Sequence, residues 1–379
     1  MIGNEVRKVL FATHLNVLAY KVAKRVVVNK SRERFSPEEV ESARRLLGEY
    51  HPDVHSSALT KNSVQALYDL HIIVPMYKVE EYIEACIDSV VSPETDYSYL
   101  VTIINDGSPD RSREIVRKYE GLPSIEIIDQ ENSGISGARN RGLSDIKGRY
   151  VMFLDSDDAL APNAIASLLD AAFRHDADIV QGAHNEIDER GGRLKTVPMK
   201  GAVSGQGDCE LRGYPWGKVF KSELFENIHF PEGYWFEDTI CVYLLFPLAK
   251  SKVCIPDIVY NYRRNHSGIT YGSLGKVKNI DTLYISEALV KDAMSFDFSK
   301  SYSFYSQQFD QIGHNYRRIA TIRNERIDRA AFIVHCAIME RYFAGMSLKD
   351  DSFFRTELEG AVKSRNYSLY KLVNNLLYA

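Results

Sequence analysis

Three carboxylates stand together in the segment Asp155-Ser156-Asp157-Asp158, which directly follows the apolar run from Tyr150 to Leu154. The apolar run predicts a strand buried on both faces, so the carboxylates fall where that strand should emerge. Like charges this close are unfavourable unless water, hydrogen bonds or a cation offsets them. Carboxylate oxygens suit Mg²⁺, Ca²⁺ or Mn²⁺, and a Mg²⁺ site commonly leaves positions for substrate phosphates. Taken alone, the segment fits a metal-diphosphate site and a solvated acidic turn equally well.

Strands and helices alternate through the central part of the chain. The predicted strands span 70–74, 100–104, 125–128, 150–154 and 178–181, with Pro75 stopping the first of them. The predicted helices span 80–91, 111–119, 136–144 and 162–173. Such alternation is typical of a parallel sheet covered on both faces, whose right-handed crossovers bring the strand ends to one ligand-binding edge. We therefore expect four segments to converge there, namely 75–77, 106, 132–139 and 155–158.

Two further features of that edge suit a nucleotide. Asp106 ends the second predicted strand and could accept hydrogen bonds from a nucleobase or ribose. Residues 132–140 form a small-residue loop that opens a helix and carries Arg139, and helix N-termini and arginine both suit phosphate. No Walker sequence is present, and no Gly-x-Gly-x-x-Gly follows the first strand, which disfavours an NTPase or an NAD enzyme.

Composition and charge are those of an ordinary soluble protein. The chain has 379 residues, 45% hydrophobic and 26% charged, with a net charge of −4. Residues 71–250 hold 18 basic and 30 acidic side chains, which argues against nucleic-acid binding. The five scattered cysteines include no Cys-x-x-Cys pair, so we expect neither a zinc site nor a disulfide framework, in a reducing cytosol.

The two flanks are predicted to be helical. Residues 4–30 mix apolar and basic side chains, with six basic to one acidic within 1–30. Such a helix fits an anionic membrane surface, or it packs on the protein with its lysines in water. Ser36-Pro37-Glu38-Glu39 predicts an N-cap, a proline in the first turn and a helix to about Glu49, and 51–66 form a polar link. No signal-peptide pattern is present, and the uncharged run 9–20 is too short to cross a bilayer.

An ordered set of motifs across residues 70–272 resembles family 2 glycosyltransferases. The motifs are Val74 to Tyr82, Asn105 to Ser108, Asn132-x-Gly134 with Ala138-Arg139-Asn140, Asp155 to Asp158, Pro215 to Phe220, Phe236 to Thr239, and Tyr262-Arg263 followed by Ile269-Thr270. The resemblance implies the α/β GT-A fold, a nucleotide-binding sandwich with a mostly parallel central sheet. The implied domains are a helical extension at 1–66, a catalytic domain at 67–272 and a helical region at 273–379. Within the catalytic domain, 67–185 would form the nucleotide-sugar half and 186–272 the acceptor half.

The resemblance also implies roles for individual residues. Those that would contact uridine, ribose, phosphates or the donor sugar are Pro75, Tyr77, Asp106, Asn132, Arg139, Asp155, Ser156, Asp158 and Arg263. Asp157 would bind Mn²⁺ or Mg²⁺, with Asp155 and His266 as further ligands. The metal would neutralise the leaving diphosphate.

The second half of such a reaction needs a base, because an acceptor hydroxyl has a pKa far above neutrality. The resemblance points to Asp238, in the catalytic pair Glu237-Asp238 that follows Tyr234-Trp235-Phe236. A base opposite the leaving group implies single displacement with inversion and no covalent intermediate. The alternative is that the pair caps a helix over 239–248. Lys218 fits either a structural pair with the acidic site or a contact to the acceptor.

The implied function is that of an inverting, metal-dependent glycosyltransferase in capsular, cell-wall or exopolysaccharide synthesis. The donor would be a nucleotide sugar, typically a UDP-sugar, and the acceptor a saccharide or a lipid-linked saccharide. We expect it in the cytoplasm, at the inner face of the membrane, with peripheral association through residues 4–30. The alternatives are a sugar-nucleotide nucleotidyltransferase, an Asp-x-Asp phosphatase and a non-catalytic sugar-binding protein on the same fold. The first usually has a Gly-rich, Arg/Lys-containing loop where this chain has Pro75-Met76-Tyr77.

Overall fold

The computed structural model describes residues 15–26, 34–91, 95–204, 209–266, 268 and 272–378. These residues divide into two compact units. One unit runs from Ser56 to Gly272. The other combines the residues up to His55 with those from Ser273 onward.

The secondary-structure elements follow in chain order. The α-helices are α1 (Asn16–Lys24), α2 (Pro37–Tyr50), α3 (Ile83–Val91), α4 (Ser112–Val116), α5 (Gly134–Leu143), α6 (Ala164–His175), α7 (Phe246–Leu248), α8 (Asp281–Ala293), α9 (Tyr302–Ala320), α10 (Glu325–Phe343), α11 (Phe353–Lys363) and α12 (Tyr367–Leu376). The strands are β1 (Ser63–Met76), β2 (Tyr99–Asp106), β3 (Ile125–Gln130), β4 (Asp145–Phe153), β5 (Ala159–Leu160), β6 (Ile179–Ile187), β7 (Arg193–Val197), β8 (Ala202–Val203), β9 (Lys218–Lys221) and β10 (Lys252–Arg263).

The unit from Ser56 to Gly272 is built on one sheet. Its strand order is β3-β2-β1-β4-β9-β6-β10-β5, with β7 beside β6 and β8 beside β10. β1 pairs in parallel with β2 and β4, β2 pairs in parallel with β3, and β6 pairs in parallel with β10. β9 is antiparallel to both β4 and β6, so these two strands run in the same direction. The long strands β1, β2, β3, β4, β6 and β10 are therefore parallel, which confirms the predicted α/β class.

The first strand is longer than predicted at both ends. β1 begins at Ser63, so the predicted domain boundary after residue 66 falls inside it, and it continues through Pro75 to Met76. Ile73 and Pro75 direct their backbone groups to the same side, toward β4, and the β4 pairing ends at Ile73 with Phe153. The missing N–H of Pro75 therefore costs no ladder bond. The expectation that Pro75 stops the strand is wrong for this reason.

The core of this unit lies on both faces of the parallel strands. Leu70, Ile72 and Val74 pack in one cluster with side chains of α3 and α6. The intervening Ile73 faces α5, where Gly142 comes so close that an added Cβ would lie 2.6 Å from the Ile73 side chain. This alternation is the period of two expected of a strand covered on both sides. Residues 150–154 are fully buried, as the sequence predicts.

One covalent link departs from the sequence expectation. Cys209 and Cys254 form a disulfide, with 5.6 Å between their Cα atoms, so the prediction of no disulfide pairing is wrong here. The two positions are 45 residues apart, and Cys254 lies in β10 where that strand pairs with β8. A pairing created by sheet assembly has no local spacing signature. Cys86, Cys241 and Cys336 are free and buried.

The second unit is helical, and the helix α2 in its N-terminal segment is capped. Ser36 and Glu39 form a reciprocal capping box at the start of α2, with Pro37 in the first turn, which confirms the predicted helix start. Arg44 on α2 donates to both carboxylate oxygens of Glu287 on α8, at 2.7 and 2.6 Å. Of the predicted helix over 4–30, α1 is observed, while 4–14 and 27–30 lie outside the described residues. Among described residues, no helix has the length and apolar character needed to cross a membrane.

Candidate functional site

The ends of the four parallel strands β1 to β4 meet at one edge, as the alternation predicts. The Ser108 hydroxyl donates to the Met76 carbonyl at 3.3 Å, which ties the ends of β1 and β2. The exposed Asn132 donates its side-chain amide to the Asp106 carbonyl at 2.9 Å, which ties β2 to the loop after β3. The predicted convergence of these segments is therefore confirmed.

The Asp106 carboxylate forms hydrogen bonds with groups of the protein itself. It accepts hydrogen bonds from the backbone N–H groups of Ser133 and Gly134, at 2.8 and 2.9 Å, and from the Gln130 amide at 2.8 Å. Gly134 has φ +77°, a conformation that glycine adopts without strain. The carboxylate thus fixes the loop that opens α5. Its predicted contact to the nucleoside stays a prediction.

Tyr77 is the aromatic side chain that this edge presents to solvent. Its side chain is 42% exposed, directly after β1, and the Lys78 ammonium lies 5.2 Å from the centre of its ring. Pro75 is buried within β1. Tyr77 is therefore the better placed of the two for stacking on a base.

Arg139 joins the two halves of the predicted site. It lies on α5, is 1% exposed, and donates to Asp155 at 2.7 Å and to Glu237 at 2.6 Å. Its guanidinium also lies 5.1 Å from the ring of Phe230. Burial alone would lower the pKa of Arg139, but the charges of Asp155 and Glu237 outweigh it and hold the pKa above its ordinary value. The side chain therefore acts as a charged cross-link, and its predicted contact to the nucleotide is not tested by this geometry.

The acidic junction has three carboxylates in three settings. Asp155 is half-buried on Arg139. Asp158 is 1% exposed and accepts the backbone N–H of Arg263 at 2.6 Å. Burial, followed by the charges of Asp157 and Asp155, holds the pKa of Asp158 well above its ordinary value. Ser156 is also buried. Asp158 thus holds the junction against β10, which favours a role in orienting this loop.

Asp157 is the carboxylate best suited to a metal, although a neighbour occupies one of its oxygens. The Asn265 amide donates to Asp157 at 3.0 Å. Burial raises the pKa of Asp157 and the charge of Asp155 adds to that rise, against the lowering effect of Asn265. A cation would relieve this repulsion. The donor chemistry therefore fits a hard cation on Asp157 with Asp155.

The predicted third ligand does not join this pair. Across the part of the chain that the structure describes, no group of three or more His, Cys, Asp or Glu side chains is arranged to hold a metal ion. His266 is exposed. The three-ligand set of Asp155, Asp157 and His266 is corrected on this ground. A Mg²⁺-type site needs only one or two carboxylates plus substrate phosphates, so the pair alone still fits.

Arg263 holds protein backbone in this structure. It is 6% exposed and donates to the carbonyls of Asp157, Asp188 and Glu189, at 2.7, 3.1 and 2.9 Å. Its guanidinium also lies 5.0 Å from the ring centre of Tyr82. The side chain therefore braces the acidic junction against the turn between β6 and β7. Its predicted contact to the diphosphate stays a prediction.

The pair Glu237-Asp238 opens an irregular helical segment. Phe236 before it has φ +66°, an uncommon conformation for an aromatic residue that is found where surrounding structure enforces it. The predicted helix over 239–248 forms as a π-helix at Cys241–Leu245 followed by α7. Glu237 is 8% exposed and is paired with Arg139, whereas Asp238 is half-buried. Glu237 thus anchors the segment, and Asp238 is the less buried carboxylate of the pair.

An aromatic stack lies beside the acidic junction. Trp216 stacks on Tyr214, Tyr260 and Tyr262, with ring centres 3.6, 4.6 and 5.1 Å apart. The Tyr260 hydroxyl accepts the backbone N–H of Asp155 at 3.1 Å. The stack therefore supports the acidic junction through the Tyr260 hydroxyl.

Lys218 fixes the loop that carries this stack. Its ammonium donates to the carbonyls of Arg212 and Trp216, each at 3.2 Å, and to that of Tyr214. It is fully buried, and burial lowers its pKa to about 7. A buried ammonium cannot touch an acceptor. The sequence allowed either a contact of Lys218 to the acceptor or a structural pair with the acidic site, and burial excludes the contact to the acceptor. The direct partners of Lys218 are the loop carbonyls.

Two residues of the site carried no signal in the sequence. Tyr260 supports Asp155 from within β10, and Asn265 reaches Asp157 from just beyond that strand. Pro256 interrupts the apolar pattern of β10, so the strand itself was not predicted. Recognising that strand would have placed both residues beside the acidic junction.

Comparison with known families gives a match over part of the unit that contains the sheet. Residues 71–234 match the family described as Glycosyl transferase family 2. Among curated relatives, Glycosyltransferase GlyA of Streptococcus pneumoniae is 30% identical over 54% of this chain and 31% of its own length. The uncharacterized glycosyltransferase EpsJ of Bacillus subtilis is 33% identical over 52% of this chain and 62% of its own length. The minor teichoic acid biosynthesis protein GgaB of Bacillus subtilis is 27% identical over 53% of this chain and 23% of its own length. The chain thus spans less than two thirds of these three relatives.

Solved structures show the same fold. The crystal structure of S. aureus TarS residues 1–349 aligns with a TM-score of 0.51 at 17% identity, covering 81% of this chain and 90% of that one. The same protein in complex with UDP aligns with a TM-score of 0.50 at 16% identity, over the same shares of both chains. This likeness confirms the predicted GT-A fold.

Proposed function

Since residues 71–234 belong to glycosyl transferase family 2, we propose that this chain transfers a sugar from a nucleotide sugar to a hydroxyl of a saccharide or lipid-linked saccharide. The observation that carries the proposal is the bridge through Arg139. It joins Asp155, from the strand end that suits a nucleotide, to Glu237, from the motif that suits a base. The two segments proposed to bind the donor and to activate the acceptor thus meet at one buried guanidinium, that of Arg139.

The proposed donor is a UDP-sugar. Support comes from the S. aureus TarS structure of the same fold, which was solved with UDP. Tyr77 offers an exposed ring for a base at the end of β1, and Asp106 fixes the loop that opens α5 at the same edge. These features favour a nucleoside at the edge formed by β1 to β4.

The proposed base is Asp238. Glu237 is committed to Arg139, so its carboxylate is held in an ion pair that fixes the segment. Asp238 is half-buried beside it, in a segment that the conformation of Phe236 and the π-helix set apart from an ordinary helix. Removal of the acceptor proton by Asp238, on the face opposite the leaving diphosphate, would give inversion in one displacement.

A divalent cation, Mn²⁺ or Mg²⁺, belongs to the proposal. Asp157, together with Asp155, would hold it. When bound, such an ion neutralises the charge of the leaving diphosphate. In this chain, Asn265 orients Asp157, and Arg263 holds its backbone.

The proposed setting is bacterial cell-surface polysaccharide synthesis. Support comes from the relative GgaB, a minor teichoic acid biosynthesis protein, and from the glycosyltransferases GlyA and EpsJ. A cytoplasmic location at the inner membrane face stays a prediction. The disulfide between Cys209 and Cys254 removes the cysteine argument for it.

Thermal unfolding with a panel of nucleotide sugars tests the proposal. UDP-, GDP-, CDP- and dTDP-sugars are each added with and without Mn²⁺, and the melting temperature is recorded. We expect selective stabilisation by a UDP-sugar that depends on the metal, because a ligand that binds only the folded state raises its stability. Absence of a response to every nucleotide would overturn the proposal. Stabilisation by a different nucleotide would reassign the donor.

A further inference from the structure

Among the described residues, the contacts that hold helix α1 to its own unit lie on one face. Tyr20 is fully buried and its hydroxyl donates to Glu357 on α11 at 2.5 Å. Asn16 donates to the Leu376 carbonyl on α12 at 3.1 Å, and Lys24 also pairs with Glu357. The Tyr20 ring packs edge-on against Phe353, with 5.8 Å between ring centres. The packed face thus already contains the polar and aromatic anchors that fix the helix.

The opposite face of the same segment is apolar and exposed. Leu15, Leu18, Val22 and Val26 are 48, 59, 57 and 79% exposed. Their spacing of three, four and four residues puts them on one stripe of α1 and of the residues that flank its two ends. An ordinary surface helix carries charged residues there. The sequence posed a choice between a helix packed with its lysines in water and a helix on a membrane, and the structure shows packing on one face and leucine and valine on the other.

One border of the stripe is basic. Lys21 and Arg25 are exposed and precede Val22 and Val26 by one position each, so they lie along one border of the stripe. Residues 15–26 contain no acidic side chain. The local charge is therefore positive, and it complements an anionic surface.

We propose that this face of α1 docks on an anionic lipid bilayer, with the stripe of Leu15, Leu18, Val22 and Val26 in the headgroup boundary and Lys21 and Arg25 on lipid phosphates. Aliphatic residues bordered by lysine and arginine are the composition of interfacial membrane helices. Protein interfaces instead favour aromatic anchors and disfavour lysine, and on this helix the aromatic Tyr20 is used internally. The inference stands on the exposed face alone and does not depend on the proposed sugar transfer.

Sedimentation of the full chain with vesicles tests the docking. One vesicle contains 30 mol% phosphatidylglycerol in phosphatidylcholine and the other contains phosphatidylcholine alone. We expect co-sedimentation with the anionic vesicle, weakened by salt because the phosphate contacts are screened. The double variant Leu18→Asp with Val22→Asp should lower the partition coefficient about tenfold or more, since it places two charges in the apolar boundary. Lys21→Glu with Arg25→Glu should lower it on anionic vesicles.

A matched control uses exposed apolar residues elsewhere. Leu67 and Leu194 are 66 and 50% exposed, so Leu67→Asp with Leu194→Asp makes the same chemical change away from α1. We expect its vesicle binding to equal that of the unaltered chain. Melting temperatures of all variants verify folding.

If the variant Leu18→Asp with Val22→Asp bound the anionic vesicles as strongly as the control variant does, the proposal would be overturned. Loss of a concentration-dependent dimer in that variant without any vesicle binding would also overturn it, and would assign the face to a second copy. A UDP-sugar response in the melting assay is independent of either result, so the two proposals fail separately.

Discussion

Arg139 donates to Glu237 at 2.6 Å, in a buried ion pair that joins residues 98 positions apart in the sequence. A second nitrogen of the same guanidinium donates to Asp155 at 2.7 Å. A charge removed from water is tolerated only when its partners offset the cost of desolvation. The two carboxylates and the cation therefore depend on one another, and the relative position of Asp155 and Glu237 depends on Arg139.

Replacing Arg139 tests this dependence. Arg139→Met leaves two carboxylates without their cation, so we expect the free energy of unfolding to fall by about 3–5 kcal/mol. Arg139→Lys keeps the charge but lacks the fork that reaches both carboxylates, so it should recover only part of the loss. Urea denaturation measures each value. Arg149, whose side chain is 51% exposed and pairs with Asp176 at 3.8 Å, supplies the control, because Arg149→Met should cost less than about 1 kcal/mol. Equal losses for Arg139→Met and Arg149→Met would contradict the cross-link.

Asp157 is expected to carry the metal dependence of nucleotide binding. Asp157→Asn keeps the shape of the side chain but removes the charge that a cation needs. Calorimetric titration with UDP should show that Mn²⁺ strengthens binding to the unaltered chain and has no effect on this variant. Asp158→Asn is the comparison, because Asp158 is buried on the Arg263 backbone and should affect stability more than the metal response. Retention of the full Mn²⁺ effect in Asp157→Asn would reassign the metal ligand.

Local pattern was enough to predict the parallel part of the fold and the edge that holds the site. The buried run from Tyr150 to Phe153 and the alternation of strands with helices are local signals, and strand direction then brings the strand ends together. Long-range pairings lay beyond such signals. β9 inserts between β4 and β6, and β8 pairs with β10. Glu237 therefore comes beside Arg139, and Cys209 beside Cys254, only after the sheet has formed.

Residue type also left some roles ambiguous. Asp106 and Arg263 have the chemistry of nucleotide ligands, yet both make backbone contacts that fix loops. A carboxylate or guanidinium binds a ligand and a backbone group through the same hydrogen bonds, so the sequence cannot separate these uses. The structure shows which atoms of Asp106 and Arg263 already have partners in the protein, and their contacts to a nucleotide stay predictions.

The burial of His71 should make the free energy of unfolding depend on pH. It is 1% exposed in β1, its Nε2 lies 2.7 Å from the Thr102 hydroxyl, and burial, followed by the charge of Lys147, lowers its pKa to about 4. The unfolded chain binds a proton near the ordinary pKa of about 6.5, so between these values it holds more protons than the folded chain. The contribution is therefore complete above pH 6.5 and is lost as the pH falls toward 4, by up to about 3 kcal/mol.

Urea denaturation across pH 4 to 7 measures this slope. His71→Gln cannot titrate, so the difference in slope between it and the unaltered chain should equal the histidine contribution. His175→Gln is the matched control, because it makes the same chemical change at an exposed position outside the core. Identical slopes for His71→Gln and the unaltered chain would rule out His71 as the source.

The release of free UDP from the UDP-sugar that stabilises the chain tests the central claim most directly. In the presence of Mn²⁺ and a saccharide acceptor, the unaltered chain should release UDP as the sugar is transferred. Asp238→Asn should bind the same donor within about threefold and release UDP at least about 100-fold more slowly, since a positioned base contributes factors of about 10²–10⁴. UDP release by Asp238→Asn at the rate of the unaltered chain would contradict the account.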